Sequence, residues 1–108
     1  AGLPDIGTLF PNTDERWRGA DSASLLTEVV QRVADAGFKP GNVDITVIAE
    51  RPKIAPKGSS MRSRISTLLG IAESAVGIKA TTAEGLGDLG RGEGIAAQAV
   101  CLLIPVHG

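Results

Sequence analysis

Glycine occupies positions 85, 87, 90, 92 and 94, a spacing that neither a helix nor a regular strand sustains. That run divides the C-terminal third of the chain into two pieces. Residues 76–82 read as a strand ahead of it. Residues 95–104 form a nearly continuous apolar stretch behind it, ending at Pro105, as a strand buried on both faces would. The glycine loop is entered through Thr81, Thr82 and Glu84, and Arg91 and Glu93 sit between its last glycines. Glycine lets backbone amides approach a ligand closely, and hydroxyls and Arg suit phosphate oxygens. A lone carboxylate among them suits a bridging divalent cation. The segment predicts a phosphorylated small-molecule ligand.

Periodicity supplies the other elements. Pro4, Gly7, Pro11, Asn12, Thr13, Asp14 and Gly19 make the first 20 residues turn-rich. Asp21 or Ser22 then caps a helix carrying Leu25, Leu26, Val29, Val30, Val33 and Ala36 at helical spacing, and Gly37 stops it. A turn at Lys39-Pro40-Gly41-Asn42 leads to a strand in which Val43, Ile45, Val47 and Ala49 alternate with Asp44, Thr46 and Glu50. Arg51-Pro52 breaks it, and the loop to Gly58 holds Lys53 and Lys57. A second helix from about Ser60 turns Met61, Ile65, Leu68 and Leu69 inward and ends at Gly70. The order predicts an α+β fold: a two-layer sandwich, with a small mixed sheet covered on one face by two helices.

A chain of 108 residues makes one domain, and at that size only about two-thirds of the unfolded surface is buried. Aromatics are limited to Phe10, Trp17 and Phe38, so small aliphatic residues supply the core. A thin core and an uncovered sheet face together predict subunit association. The net charge of −1, with Lys and Arg scattered, argues against capture of nucleic acid or anionic membrane. Cys101 is the single cysteine, which excludes an internal disulfide and fits a reducing compartment; its apolar surroundings predict a buried core thiol. No apolar run approaches the ~20 residues of a membrane span, and a soluble intracellular protein is expected.

Several motifs admit plainer readings. Gly85-x-Gly87-x-x-Gly90 matches a dinucleotide fingerprint literally, but a Rossmann glycine turn opens a helix, and the residues after this one read as a strand. Taken alone, Thr81-Thr82-x-Glu84 reads more simply as a strand edge with a solvated carboxylate. Arg91-Gly92-Glu93-Gly94 is equally a hairpin tip with an ion pair, and residues 5–7 and 10–14 are equally turns. His107 has no second His or Cys within metal spacing, and no Ser-His-Asp or Cys-His set can be assembled around it.

Taken in order, five segments resemble 2-C-methyl-D-erythritol 2,4-cyclodiphosphate synthase, the cyclase family of non-mevalonate isoprenoid (terpenoid) biosynthesis. They are GLPDIGTLFPNTD, WRGADS, GNVDITVIAERPKI, IKATTAEGLG and GRGEGIA. The resemblance implies a lyase, a phosphorus–oxygen lyase, that turns 4-diphosphocytidyl-2-C-methyl-D-erythritol 2-phosphate into the cyclic diphosphate by attack of the 2-phosphate on the β-phosphate, with release of CMP. Alignment and charge neutralisation carry such a transfer, and no protein nucleophile is required. By the same resemblance Ala49, Glu50, Arg51, Pro52, Lys53, Ile54 and Ala55 pack on and read the cytosine. Thr82 stabilises the transition state as the catalytic residue, beside Thr81 and Ala83. Glu84 holds the Mg or Mn ion that bridges the phosphates. Asp5, Ile6 and Gly7, with Phe10, Pro11, Asn12, Thr13 and Asp14, line the methylerythritol side, and Arg91 contacts phosphate. A homotrimer with sites between subunits, its sheets packed together, is implied, in a bacterial cytoplasm or a plastid-type compartment.

The chain departs from the family in places. Asp88 stands where Phe is frequent, and it joins the substrate side as a charge rather than an apolar contact; Asn12 stands where Asp is usual. The family's zinc ligands, an Asp-x-His pair and a later His, belong with a His–Ser substrate pair to a stretch ahead of the matched segments. The resemblance therefore covers the C-terminal two-thirds of such a cyclase, an incomplete single domain with no zinc ligand of its own. On its own this stretch is expected to be inactive. The alternative is a catalytically inactive trimeric module that binds a nucleotide or phosphate.

Overall fold

Hydrogen-bonding side chains and glycines mark the ends of the helices, as the sequence leads one to expect. A computed structural model describes residues 1–11, 21–48, 58–81 and 96–106. By its internal contacts the chain forms two compact units, Ala1–Lys39 with Leu103–Gly108, and Pro40–Leu102.

In the first unit, α1 (Ile6–Leu9) is a single helical turn where the sequence shows only turn formers. Asp5 is its N-cap: the carboxylate accepts the Thr8 N–H at 2.9 Å, satisfying a donor that the helix leaves unpaired. Helix α2 (Ser22–Asp35) starts the same way, with Asp21 rather than Ser22 as the cap, its carboxylate accepting the Ser24 N–H at 2.7 Å. Val33 is buried and Leu25, Leu26, Val29 and Val30 are half-buried, as the periodicity requires. Ala36 is exposed instead, because it is the C-cap and has left the helical stripe. Gly37 follows at φ 92°, a conformation that favours glycine, and stops the helix.

A three-stranded sheet in the order β2-β1-β3 makes up most of the second unit, with the first residues of β1 and the last of β3 counted in the first. Strand β1 (Phe38–Ile48) begins five residues earlier than the alternation predicts and absorbs the expected turn at Lys39-Pro40-Gly41-Asn42. The register explains why Pro40 is tolerated. Strand β2 (Val76–Thr81) pairs with β1 in parallel only from Val43↔Val76 onward, so the proline forfeits no ladder bond on that side. Strand β3 (Ala96–Pro105) runs antiparallel on the other side: the Val106 N–H just past its end donates at 2.8 Å to the Gly37 carbonyl just ahead of β1. The sheet is mixed, and the fold is α+β.

A helix and a short 3-10 turn (Glu73–Ala75) connect β1 to β2. Helix α3 (Gly58–Leu69) packs on β2 and on that turn, with Met61, Ile65, Leu68 and Leu69 half-buried on one stripe. Its end is a Schellman motif: Ile71 N–H reaches the Ser66 carbonyl at 3.0 Å, Gly70 N–H reaches Thr67 at 3.3 Å, and Gly70 takes φ 69°. Val43, Val47 and Val76 are the buried core of this unit, and they share one face of the paired strands. Ser66 is buried with them and keeps its hydroxyl satisfied by donating to the Ser63 carbonyl at 2.8 Å.

β3 corrects the sequence reading. Its apolar run predicts burial on both faces, yet Val100 is 75% exposed and Leu102 55% exposed. Cys101, expected in the core, is exposed as well. The continuous apolar run reports a strand made to be covered, but at the edge of the sheet a single chain leaves it open.

One close approach fixes how β1 and β2 face each other. Asp44 lies opposite Gly77, and a Cβ at Gly77 would stand 2.8 Å from the Asp44 Oδ1. Gly77→Ala should displace that carboxylate and cost no more than about 1 kcal/mol, because the ion pair it disturbs is exposed. On an Asp44→Ala background the same substitution should be neutral or stabilising, since the obstruction is gone and alanine restricts the unfolded chain more than glycine. Urea denaturation of the four proteins in the cycle checks this, and strictly additive effects would contradict it.

Candidate functional site

Parallel pairing places the carboxyl ends of adjacent strands side by side, and in α/β sheets ligands bind just beyond such ends. Ile48 is paired with Thr81, so the chain leaves β1 and β2 at the same level of the sheet. Neighbouring strands stand ~4.8 Å apart. The last described residues ahead of the segment expected to read a cytosine and of the segment expected to hold phosphates, Ile48 and Thr81, therefore stand next to each other. Thr81 is described and is exposed at the last position of β2. Thr82, Ala83, Glu84, Asp88 and Arg91 lie outside the described residues, as do Ala49, Glu50, Arg51, Pro52, Lys53, Ile54 and Ala55.

Side chains on the two strands sort by face. Val43, Val47 and Val76 point into the core, whereas Asp44, Thr46, Gly77, Lys79 and Thr81 lie on the opposite face. There the Lys79 ammonium donates to the Asp44 carboxylate, diagonally across the two strands. Gly77 leaves the room in which that carboxylate lies. The Lys79 charge, two residues before Thr81, is thereby engaged within the sheet. Nothing in the sequence marked this pair, although Asp44 and Lys79 both fall on polar positions of the alternation.

The other candidate segment belongs to the first unit. Asp5, Ile6 and Gly7 are exposed at the start of α1. The Thr8 backbone N–H, with further help from the Thr8 side chain, holds the Asp5 carboxyl below the usual aspartate range. Phe10 is buried and Pro11 half-buried, and the Arg32 guanidinium lies over the Phe10 ring, 5.1 Å from its centroid. Arg32 is itself held from below by Glu28, Nε to Oε1 at 3.3 Å. Asn12, Thr13 and Asp14 lie outside the described residues. Among the described residues no three His, Cys, Asp or Glu side chains gather into a metal-holding group. A shallow groove lined by Ser60, Met61, Arg64 and Ile65 opens on α3, shortly after the segment 49–57. None of the described helices is long and apolar enough to cross a membrane.

Comparison with known proteins decides the family. The YgbB family matches residues 1–104. This chain belongs to the YgbB family. It is 55% identical over 107 residues to the bifunctional enzyme IspD/IspF of Anaeromyxobacter sp. (strain Fw109-5), covering 99% of this chain and 28% of that protein. It is 54% identical over 104 residues to the 2-C-methyl-D-erythritol 2,4-cyclodiphosphate synthase of Erwinia tasmaniensis, covering 96% of this chain and 66% of that protein. Among solved structures, a CDP complex of IspF from Plasmodium falciparum superposes with a TM-score of 0.83 at 39% identity, covering 98% of this chain and 63% of that one. The YgbB chain thus spans just under two-thirds of its single-activity relatives and about a quarter of the bifunctional one. The family inferred from five ordered segments is the family found.

The cap on α1 gives a titration that can be measured. A carboxyl whose folded pKa is lowered adds stability that is present above its unfolded pKa and is lost as pH falls through the folded one. The Asp5 resonance should therefore titrate below an ordinary aspartate, and Thr8→Ala should move it partway back while the backbone bond persists. Asp5→Asn, which keeps an acceptor, should preserve slow exchange of the Thr8 amide, and Asp5→Ala should not. An Asp5 carboxyl titrating at the ordinary value would show that the cap does not form.

Proposed function

We propose that this chain carries the nucleotide and diphosphate side of a 2-C-methyl-D-erythritol 2,4-cyclodiphosphate synthase. The substrate is 4-diphosphocytidyl-2-C-methyl-D-erythritol 2-phosphate. An oxygen of its 2-phosphate bonds to the β-phosphorus as the bond to the CMP oxygen breaks, giving the cyclic diphosphate and CMP. The observation that carries this reading is the parallel pairing that ends at Ile48↔Thr81. It sets side by side the strand ends that lead to residues 49–55 and to residues 82–91, which this reading assigns to the cytosine and to the phosphates. Relatives named for this activity, and a similar fold solved with CDP, support it.

Within this reading residues 49–55 contact the cytosine largely through backbone groups, with Lys53 nearby. Thr81 and Thr82 donate hydroxyl hydrogen bonds to diphosphate oxygens, and those bonds tighten as charge develops in the transition state. Arg91 and the glycine amides add donors on the phosphate side. Glu84 supplies the carboxylate for a Mg or Mn ion, which when bound neutralises phosphate charge. The described residues offer no zinc ligand set, and no step is assigned to zinc. Asp5, Ile6, Gly7 and residues 10–14 contact the methylerythritol part, with Asp88 nearby.

A homotrimer of two-layer subunits, with sheets packed together and sites between copies, completes the reading. Its support is β3, where Val100, Leu102 and Ile104 alternate on one exposed face and Val106 continues them. Exposed apolar edge strands in soluble domains are normally covered by a partner.

Two measurements test the proposal. CDP at 100 times its dissociation constant should stabilise the protein by about 2.7 kcal/mol, read as a rise in melting temperature. In the complete protein Thr82→Ala and Glu84→Ala should each lower CMP release by about 100-fold or more while leaving the fold intact. Unchanged turnover in either variant would remove that residue from the chemistry. Separately, Leu102→Glu should dissociate the assembly in light scattering, and an unaltered mass would show that β3 is not the interface.

A further inference from the structure

The proposed substrate-side segment is only a four-residue helical turn followed by Phe10 and Pro11, too short to hold its shape by its own hydrogen bonds. Its ends are fixed differently. The N-terminal end is closed locally by the Asp5 cap. At the C-terminal end the Phe10 N–H closes the turn on the Ile6 carbonyl at 2.9 Å, and the buried Phe10 ring gives a hold from outside the turn. The Arg32 guanidinium of α2 stands 5.1 Å from the ring centroid, well within cation–π range. Glu28, one turn earlier on α2, fixes that guanidinium through its Nε at 3.3 Å. Glu28, Arg32 and Phe10 thus form a continuous relay from a 14-residue helix to the end of a one-turn helix.

We propose that Arg32 is a positioning residue for the substrate segment, acting through Phe10. The family resemblance has residues 5–7 and 10–14 touch substrate as one strip, and the burial of the Phe10 ring gives that residue a second part. The ring anchors, and the exposed Asp5, Ile6 and Gly7 present polar and backbone groups to the ligand. A competing explanation is that Arg32, in the last turn of α2, merely offsets the helix dipole. That role would leave α1 unaffected by the loss of Arg32.

The inference rests on the reading that this segment meets the methylerythritol part while residues 49–55 meet the cytosine. It therefore predicts a split. In the complete enzyme Arg32→Gln should raise KM for the full substrate by about threefold to tenfold and leave CDP affinity within about twofold. Hydrogen exchange at the Leu9 and Phe10 amides should accelerate by a similar factor. Arg32→Lys, which keeps a cation over the ring, should recover most of both effects, and Glu28→Gln should move them the same way to a smaller extent. Unchanged exchange at Leu9 and Phe10 would overturn the anchoring role. Faster exchange with KM and CDP affinity worsening together would reduce it to general support of the fold. Were the wild-type enzyme unable to turn over substrate, the proposed function and the substrate half of this inference would both fall, and exchange alone would still decide whether Arg32 anchors α1.

Discussion

Parallel hydrogen bonding between β1 and β2, registered from Val43↔Val76 to Ile48↔Thr81, is the constraint on which the site depends. It sets the ends of two strands far apart in sequence, Ile48 and Thr81, side by side. The valines beneath it hold the register, because a one-residue slip would carry Val43, Val47 and Val76 from the core to the open face. On the open face the Asp44–Lys79 pair, seated over Gly77, agrees with the same register. The pair is exposed and adds little stability.

The first unit holds a short exposed segment with little intrinsic order, residues 5–9. Asp5 closes the turn at one end and the Arg32–Phe10 contact ties it down at the other. Asp5, Ile6 and Gly7 stay exposed between them. β3 leaves a further requirement unmet within one chain, since its valine, leucine and isoleucine side chains stand in water. A partner copy of the same chain is the cover proposed for them.

Much of this is legible in the residues themselves. Gly37 and Gly70 stop their helices at positive φ as their positions suggest, and Asp21 caps where one of two candidates is expected. The alternation over residues 43–48 marks the buried face of β1 correctly. What is hidden has physical reasons. The α1 turn lacks the length for periodicity to show, and only Asp5, three residues before Thr8, hints at its cap. β1 extends through Pro40 and Gly41 because β2 does not yet pair there, a fact of register that no local pattern carries. Cys101 and Val100 read as core because apolarity reports that a surface is to be covered, without saying by which chain. The Phe10–Arg32 contact escapes for the same kind of reason: it joins residues far apart in sequence. Of the candidate site, Thr81 and the α1 strip are placed, and the segments 49–57 and 82–95 lie outside the described residues.

A crystal structure of the protein with CDP tests the central relation most directly. Parallel registration of β1 and β2 predicts that one CDP molecule meets two segments of the same protomer. The cytosine should lie within hydrogen-bond distance of the backbone of residues 49–55, and the diphosphate should rest on Thr81, Thr82 and the glycine loop. A CDP whose base and diphosphate touched only one of those segments, or neither, would show that bringing the two strand ends together is not what builds the nucleotide site.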